Sequence, residues 1–329
     1  MREEKIIESP ALYRDSFRIR SFVFGEGEKS VCIVGAERGN EYQQIYVASL
    51  LVQRMAELEK KGQILPGRSI RIIPCANPYS VNSKKRFWAS DNTDINRMYP
   101  GYDQGETTQR IAAAVFDVAK EYEYGIQFAS FYMPGRFLPH IRIMKTGLEE
   151  PEMARKFGFP YVVLHTPRPF DTTTLNYNWQ IWETKAFSVY TTETNHIDVH
   201  SAREAVDGVL RFLHTQGILQ ERIPGGYYSE IVETVDMAAV RTSRAGFFFS
   251  ETQTGERVVR GQKLAEIRDT YTNRLKEELL SPVDGTVFFM RNEPLTYQAT
   301  AVFKIIPQGS ELKEYHPQKM EAESEQYTS

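Results

Sequence analysis

Short apolar runs alternate with longer amphipathic stretches through the first two-thirds of this chain, and that alternation constrains the fold more than any other feature. SFRIRSFVFG alternates in strand fashion and SVCIVG is a short buried strand, with the turn residues GEGEKS between them. A helical pattern then runs from about Glu41 to Lys61, with Ile45, Ala48, Leu51, Met55 and Leu58 at steps of three and four. The strand SIRIIPCANP follows, then the helical ETTQRIAAAVFDVAKEY. YGIQFASFYM, HIRIM, YVVLH and AFSVYTTE read as further strands, and a last amphipathic helix spans roughly Val199 to Gln216. Strands interleaved with helices predict an α/β fold: a mixed, mostly parallel central sheet flanked by helices.

After about residue 228 the helical periodicity stops. Short strands separated by glycines take over in RAGFFFSE, GERVVRGQKLAEIRD, SPVDGTVFFM and TAVFKII. The predicted division is an α/β domain over 1–228, a smaller all-β barrel or sandwich over 229–308, and a polar, disordered tail over 309–329. Lys263 lies in GQKLAE, away from an obvious hairpin tip, so the β domain does not read as a lipoyl- or biotinyl-type carrier.

Composition excludes several classes of partner. The 329 residues carry a net charge of −3 with a pI near 6.2, so a nucleic-acid partner is not expected. The charged start of the chain lacks an apolar signal core and no run is long enough to span a bilayer, so no membrane role and a cytoplasmic location are expected. Two cysteines, Cys32 and Cys75, sit in apolar runs and read as small core residues.

The segment NTDINRMYPG, residues 92–101, carries the most chemistry. With KKRFW before it, Arg86, Asn96 and Arg97 follow a buried strand within a short span. A guanidinium presents a planar fork of donors that grips a carboxylate in two places, so two forks and an amide point to a small acidic ligand. The competing reading pairs these arginines with a local acid, Asp91 or Asp94. Ligands in open α/β sheets bind beyond the carboxyl ends of the strands. AERGNE, NTDINRMYPG and TTETN all follow strands, which predicts one shared crevice.

Taken in order, GNE, NP, an Arg, DINRxYPG, ETTQRIA and TTETN resemble the succinylglutamate desuccinylase/aspartoacylase family, relatives of the zinc carboxypeptidases, over roughly residues 30–306. That resemblance implies a zinc-carboxypeptidase-like domain and a zinc hydrolase that splits an acyl group from an amino acid. It implies that Arg86, Asn96 and Arg97 hold a substrate carboxylate and that Glu193 is the catalytic base. It also implies Zn²⁺ held by a His and a Glu three apart plus a later His. Here the first motif reads Arg38-Gly39-Asn40-Glu41, so Glu41 keeps its place and Arg38 replaces the first histidine. The later motif reads Gln127-Phe128-Ala129-Ser130, so Ala129 replaces the second.

A catalytic zinc needs three protein ligands and a water. A fixed guanidinium ~4 Å from a zinc ion costs about 8 kcal/mol at an effective dielectric of ~20. Zinc is therefore implied by the family but opposed by these residues. Replacement ligands would come from His140, His165, His196 or His200; His196 and His200 lie four apart with Glu193 three before, although surface histidines at a helix start are commoner. His214 and His316 read as helix-end and tail residues. Alternatively Arg38 fills the metal position, pairs with Glu41 and stabilises an oxyanion.

Two functions stay open: a deacylase-type hydrolase acting on an acidic N-acyl amino acid or a similar small substrate, with a rebuilt site, and an inactive or altered binding protein of the same fold.

Overall fold

The computed structural model describes residues 1–10 and 15–309. The tail expected over 309–329 lies outside the described residues from 310 onward, as does His316.

A nine-stranded sheet forms the centre. Its strands, with one short insertion, are β1 (Arg2–Ser9), β2 (Phe17–Gly25), β3 (Gly27–Ala36), β4 (Gly67–Cys75), β5 (Tyr124–Ala129), β6 (Gly135–Phe137), β7 (His140–Met144), β8 (Tyr161–His165), β9 (Lys185–Tyr190) and β10 (Glu230–Glu233). The order is β1-β2-β4-β3-β5-β9-β7-β8-β10, with β6 outside it. From β4 through β9 neighbours run parallel; β1–β2, β2–β4 and β7–β9 are antiparallel. The sheet is thus mixed and mostly parallel, as the alternation predicts.

Strand β3 shows why a continuous apolar run suits this position. Val31 and Ile33 point to one face, Cys32 and Val34 to the other, and all four are fully buried. One face is covered by α1 (Tyr42–Lys60) and α6 (Val199–Thr215), which contribute Val47, Leu51, Met55, Ala202, Val209 and Leu213. The short α2 (Pro78–Asn82) leads into the Arg86 segment. The other face is covered by α3 (Thr107–Ala119), α5 (Leu175–Ile181) and the large rings of Trp88, Tyr99 and Trp179. Burial on both faces is what a parallel sheet requires. Helix α6 starts where Asp198 accepts from the His200 and Ser201 N–H groups, and α3 starts at a capping box between Glu106 and Gln109.

Several elements were not legible, β1 and α5 among them. The charged MREEKIIES forms edge strand β1, whose polar residues are tolerated because one face meets solvent. LNYNWQI forms α5, with Thr174 accepting from the Tyr177 N–H. GEGEKS contributes only a tight turn at Gly25–Gly27; its remainder extends β3.

After the short helix α4 (Pro151–Ala154) and α6, β10 pairs in parallel with β8, so the large sheet reaches past residue 228 to Glu233. Beyond it lie β11 (Ala238–Arg241), β12 (Gly246–Ser250), β13 (Arg257–Val258), β14 (Lys263–Arg268), β15 (Leu275–Leu280), β16 (Gly285–Arg291), β17 (Leu295–Thr296) and β18 (Ala301–Pro307). They form two sheets around Phe248, Leu264, Ile267, Val287, Phe303 and Ile305. Strand β6, inserted between β5 and β7, pairs with β16 and places Phe137 opposite Phe289. The β domain is thereby tied to the mouth of the large sheet. Lys263 is held among Glu251, Glu266 and Glu278. Cys32 and Cys75 are both free thiols, pushed up to about 12 by burial.

Candidate functional site

The loop after β3 turns into α1 through Glu37, Arg38, Gly39 and Asn40. A side chain at Gly39 would strike the Ser80 carbonyl carbon at 2.3 Å and the Lys85 oxygen at 2.4 Å. Only glycine lets this loop press against the segment that leads to Arg86.

That packing sends Arg38 inward, where it is 4 % exposed. Its Nη1 donates to Glu41 Oε1 at 2.9 Å, while Nε and Nη2 donate to Asp94 Oδ1 and Oδ2, each at 3.0 Å. Glu41 Oε2 accepts from the backbone N–H groups of Glu37 and Arg38 at 2.7 and 3.0 Å. The Ser130 hydroxyl donates to Glu41 Oε1. Both Glu41 oxygens are therefore already engaged. The carboxylates on either side hold the Arg38 charge in place and raise its pKa against burial. Glu37, fully buried beside Tyr99 and bonded by Gln127, is pushed up to about 8, chiefly by desolvation.

Where the resemblance leads one to expect a metal, the residues present do not fit a zinc ion. The Ala129 side chain has no donor atom, Arg38 supplies a cation, and the oxygens of Glu41 and Asp94 are already engaged by that cation and by the backbone N–H groups of Glu37, Arg38 and Asn96. Among the described residues, no group of three or more His, Cys, Asp or Glu side chains is placed to hold a metal.

Arg86, Asn96, Arg97, Ala129 and Arg38 line one cleft beyond the carboxyl ends of β3, β4 and β5. Asp94 is taken by Arg38, and Asp91 is taken by the N–H and hydroxyl of Thr108. The local acids thus leave Arg86 and Arg97 without an ion-pair partner among the described residues. The Asn96 Oδ1 accepts from the Leu175 N–H at 2.8 Å, which fixes the amide and leaves its NH₂ as the end that faces a ligand. Arg97 is braced by a 2.5 Å bond from Nη1 to the Asn96 carbonyl and lies 5.9 Å from the Phe170 ring centroid.

Glu193 is not among the residues that line this cleft. It follows β9, half-buried, with its carboxylate 3.0 Å from Arg136 Nε on β6. Burial raises its pKa, with Arg136 opposing.

The histidines lie elsewhere or are otherwise occupied. His196 and His200 are exposed, the helix begins only at Val199, and His200 lies 3.4 Å from Glu204. His140 is stacked on Tyr190, with burial pushing it down to about 3. His165 lines the cleft but is 3.1 Å from Asp171, and burial lowers its pKa. His214 lies at the end of α6 against the Leu219 carbonyl.

Several cleft residues escaped the sequence reading. Ser130 follows the expected ligand position directly, while Arg142, Arg168 and Lys304 come from β7, the loop after β8, and β18. Arg142 and Lys304 are lone cations inside otherwise apolar strands, HIRIM and AVFKIIP, and that is the signal that marks them.

The sequence model of the succinylglutamate desuccinylase/aspartoacylase catalytic domain matches residues 27–214, and the chain belongs to that family. The fold is similar to the succinylglutamate desuccinylase/aspartoacylase of Rhodobacter sphaeroides, with a TM-score of 0.76 at 20 % identity over 92 % of this chain and 95 % of that one. It is equally similar to the product-bound ectoine utilization protein EutE (DoeB) of Ruegeria pomeroyi, with a TM-score of 0.76, 19 % identity and coverage of 89 % and 90 %. An aspartoacylase family protein of Mesorhizobium loti matches with a TM-score of 0.72, 18 % identity and coverage of 93 % and 95 %. No curated protein matches this sequence at a significant level. Among the described residues, no helix is long and apolar enough to cross a membrane.

Proposed function

We propose that the cleft binds a small acidic molecule of the kind deacylases of this fold act on, an N-acyl amino acid or close analogue, and does so without a metal. The observation that carries this reading is the pair of uncompensated guanidiniums, Arg86 and Arg97, flanking the oriented Asn96 amide. Arg38 stands in the metal's place as a structural cation: it links the loop after β3 to the Asp94–Arg97 segment and so positions Asn96 and Arg97. With most of its donors engaged, Arg38 has little capacity left for an oxyanion.

The test is calorimetric titration with N-acyl amino acids and their amides. Binding should require the free carboxylate, and Arg86→Gln should weaken it by about 2 kcal/mol, or roughly 30-fold. Equal affinity for acid and amide would sink the proposal.

A second reading, a deacylase, is favoured by the half-buried Glu193, whose raised pKa suits a general base. On this reading Glu193 activates water once Arg136 releases it, and the Arg86–Arg97 pair holds the substrate. Product release from N-acyl amino acids, followed by mass and lost in Glu193→Gln, would support it.

A further inference from the structure

The same cleft has a second cationic wall. Arg142 on β7, Arg168 after β8 and Lys304 on β18 all line it, and none forms an ion pair among the described residues. The acid beside them, Asp171, already accepts from His165 Nε2 at 3.1 Å and from the Arg168 backbone N–H at 3.0 Å. Arg142 Nε is buried without any hydrogen-bond partner, and its Nη1 reaches only the Tyr190 hydroxyl at 3.5 Å. A guanidinium N–H removed from water and left unbonded is costly unless a ligand completes it. Lys304 is pulled down to about 8 by burial and by the neighbouring Arg142, Arg168 and Arg241. Thr234 and Ser188 also line the cleft, but their hydroxyls already donate to the Leu164 carbonyl and to Gln127 Oε1.

Three clustered cations against one occupied carboxylate leave about two positive charges to balance. A carboxylate supplies one negative charge and two oxygens. A phosphate monoester supplies about −1.5 to −2 charges and three acceptor oxygens at neutral pH. Arginine forks and a lysine point charge match that group.

We propose that Arg142, Arg168 and Lys304 form a binding site for a dianionic phosphoryl group, distinct from the carboxylate clamp at Arg86 and Arg97. The group comes either from free phosphate or from a ligand whose carboxylate sits on that clamp; the second source rests on the proposed function above. The site joins both domains, because Lys304 belongs to the β domain and Arg142 to the large sheet.

The full chain is titrated calorimetrically with inorganic phosphate, acetate, phosphoglycolate and glycolate. Phosphate should bind at least tenfold more tightly than acetate, and Lys304→Met and Arg142→Met should each weaken phosphate at least tenfold. Two variants are used so that one misfolded protein does not decide the result. Phosphoglycolate at least tenfold tighter than phosphate, with that gain lost in Arg86→Gln, identifies a ligand that spans both sites. Phosphoglycolate no tighter than phosphate identifies free phosphate and leaves the site intact. Phosphate no tighter than acetate, or indifferent to both methionine variants, overturns the proposal, whatever the carboxylate clamp does.

Discussion

Arg38 and Asp94 meet as a two-point fork, Nε on Oδ1 and Nη2 on Oδ2, each at 3.0 Å. This pair joins the loop after β3 to the segment that carries Asn96 and Arg97. A fork of this kind fixes orientation as well as distance. Replacing Arg38 by Met leaves Glu41 and Asp94 facing each other in a buried site. We expect a loss of about 3–5 kcal/mol in urea unfolding, since breaking a buried pair strands an uncompensated charge. Loss of less than about 1 kcal/mol, the usual worth of a surface pair, would show that the cluster is solvated in solution.

Metal content tests the same cluster from the other side. The native protein, equilibrated with zinc and then dialysed, is expected to retain far less than one zinc per chain by mass spectrometry. The double variant Arg38→His with Ala129→His creates a His, Glu, His donor set with Glu41. It is expected to approach one zinc per chain. Stoichiometric zinc in the native protein would mean that ligands outside this cluster hold it.

How much of this was readable in the sequence follows from how local each signal is. Strand β3 and helices α1, α3 and α6 were legible because their apolar spacing is complete within one segment. Of the three strand-end loops expected to share one crevice, AERGNE supplies Arg38 and NTDINRMYPG supplies Asn96 and Arg97, with Arg86 beside them, but no residue of TTETN is in the lining. The partner of Arg38 was only half visible: Glu41 lies three residues away, but Asp94 reaches it across 56 positions. The second cationic wall was invisible as a cluster, because Arg142, Arg168 and Lys304 meet only after β7, β8 and β18 have packed. The edge strand β1 was hidden by its charges, which the solvent face of an edge permits.

Glu193 separates binding from chemistry. Its carboxylate faces Arg136 and lies outside the cleft lining. Glu193→Gln is therefore expected to change the affinity for an N-acyl amino acid by less than threefold in the same titration. On the deacylase reading, any turnover the native protein shows should vanish, because Glu193 must leave Arg136 to reach the attacking water. A large loss of affinity would place Glu193 in direct contact with the ligand.

Lys304 gives the molecule a stability signature at alkaline pH. Arg142, Arg168 and Arg241 face it and join burial in lowering its pKa from 10.5 to about 8, while nearby His140 stays neutral. The sign follows from proton counting. Between about 8 and 10.5 the unfolded chain keeps this proton while the folded chain has released it. The unfolded state then binds more protons, so stability from this group rises with pH across that window. Below about 8 both states are protonated and the full penalty of the buried charge is present. The gain is up to about 1.4 kcal/mol per pH unit. Lys304→Met removes both penalty and slope, so its advantage over the native protein in urea unfolding should shrink as pH rises from 8 to 10.5. Saturating phosphate should flatten the native slope as well, because a bound dianion restores the lysine's ordinary basicity. A difference between native and variant that stays constant over this range would mean that Lys304 is solvated and carries no strain from its neighbours.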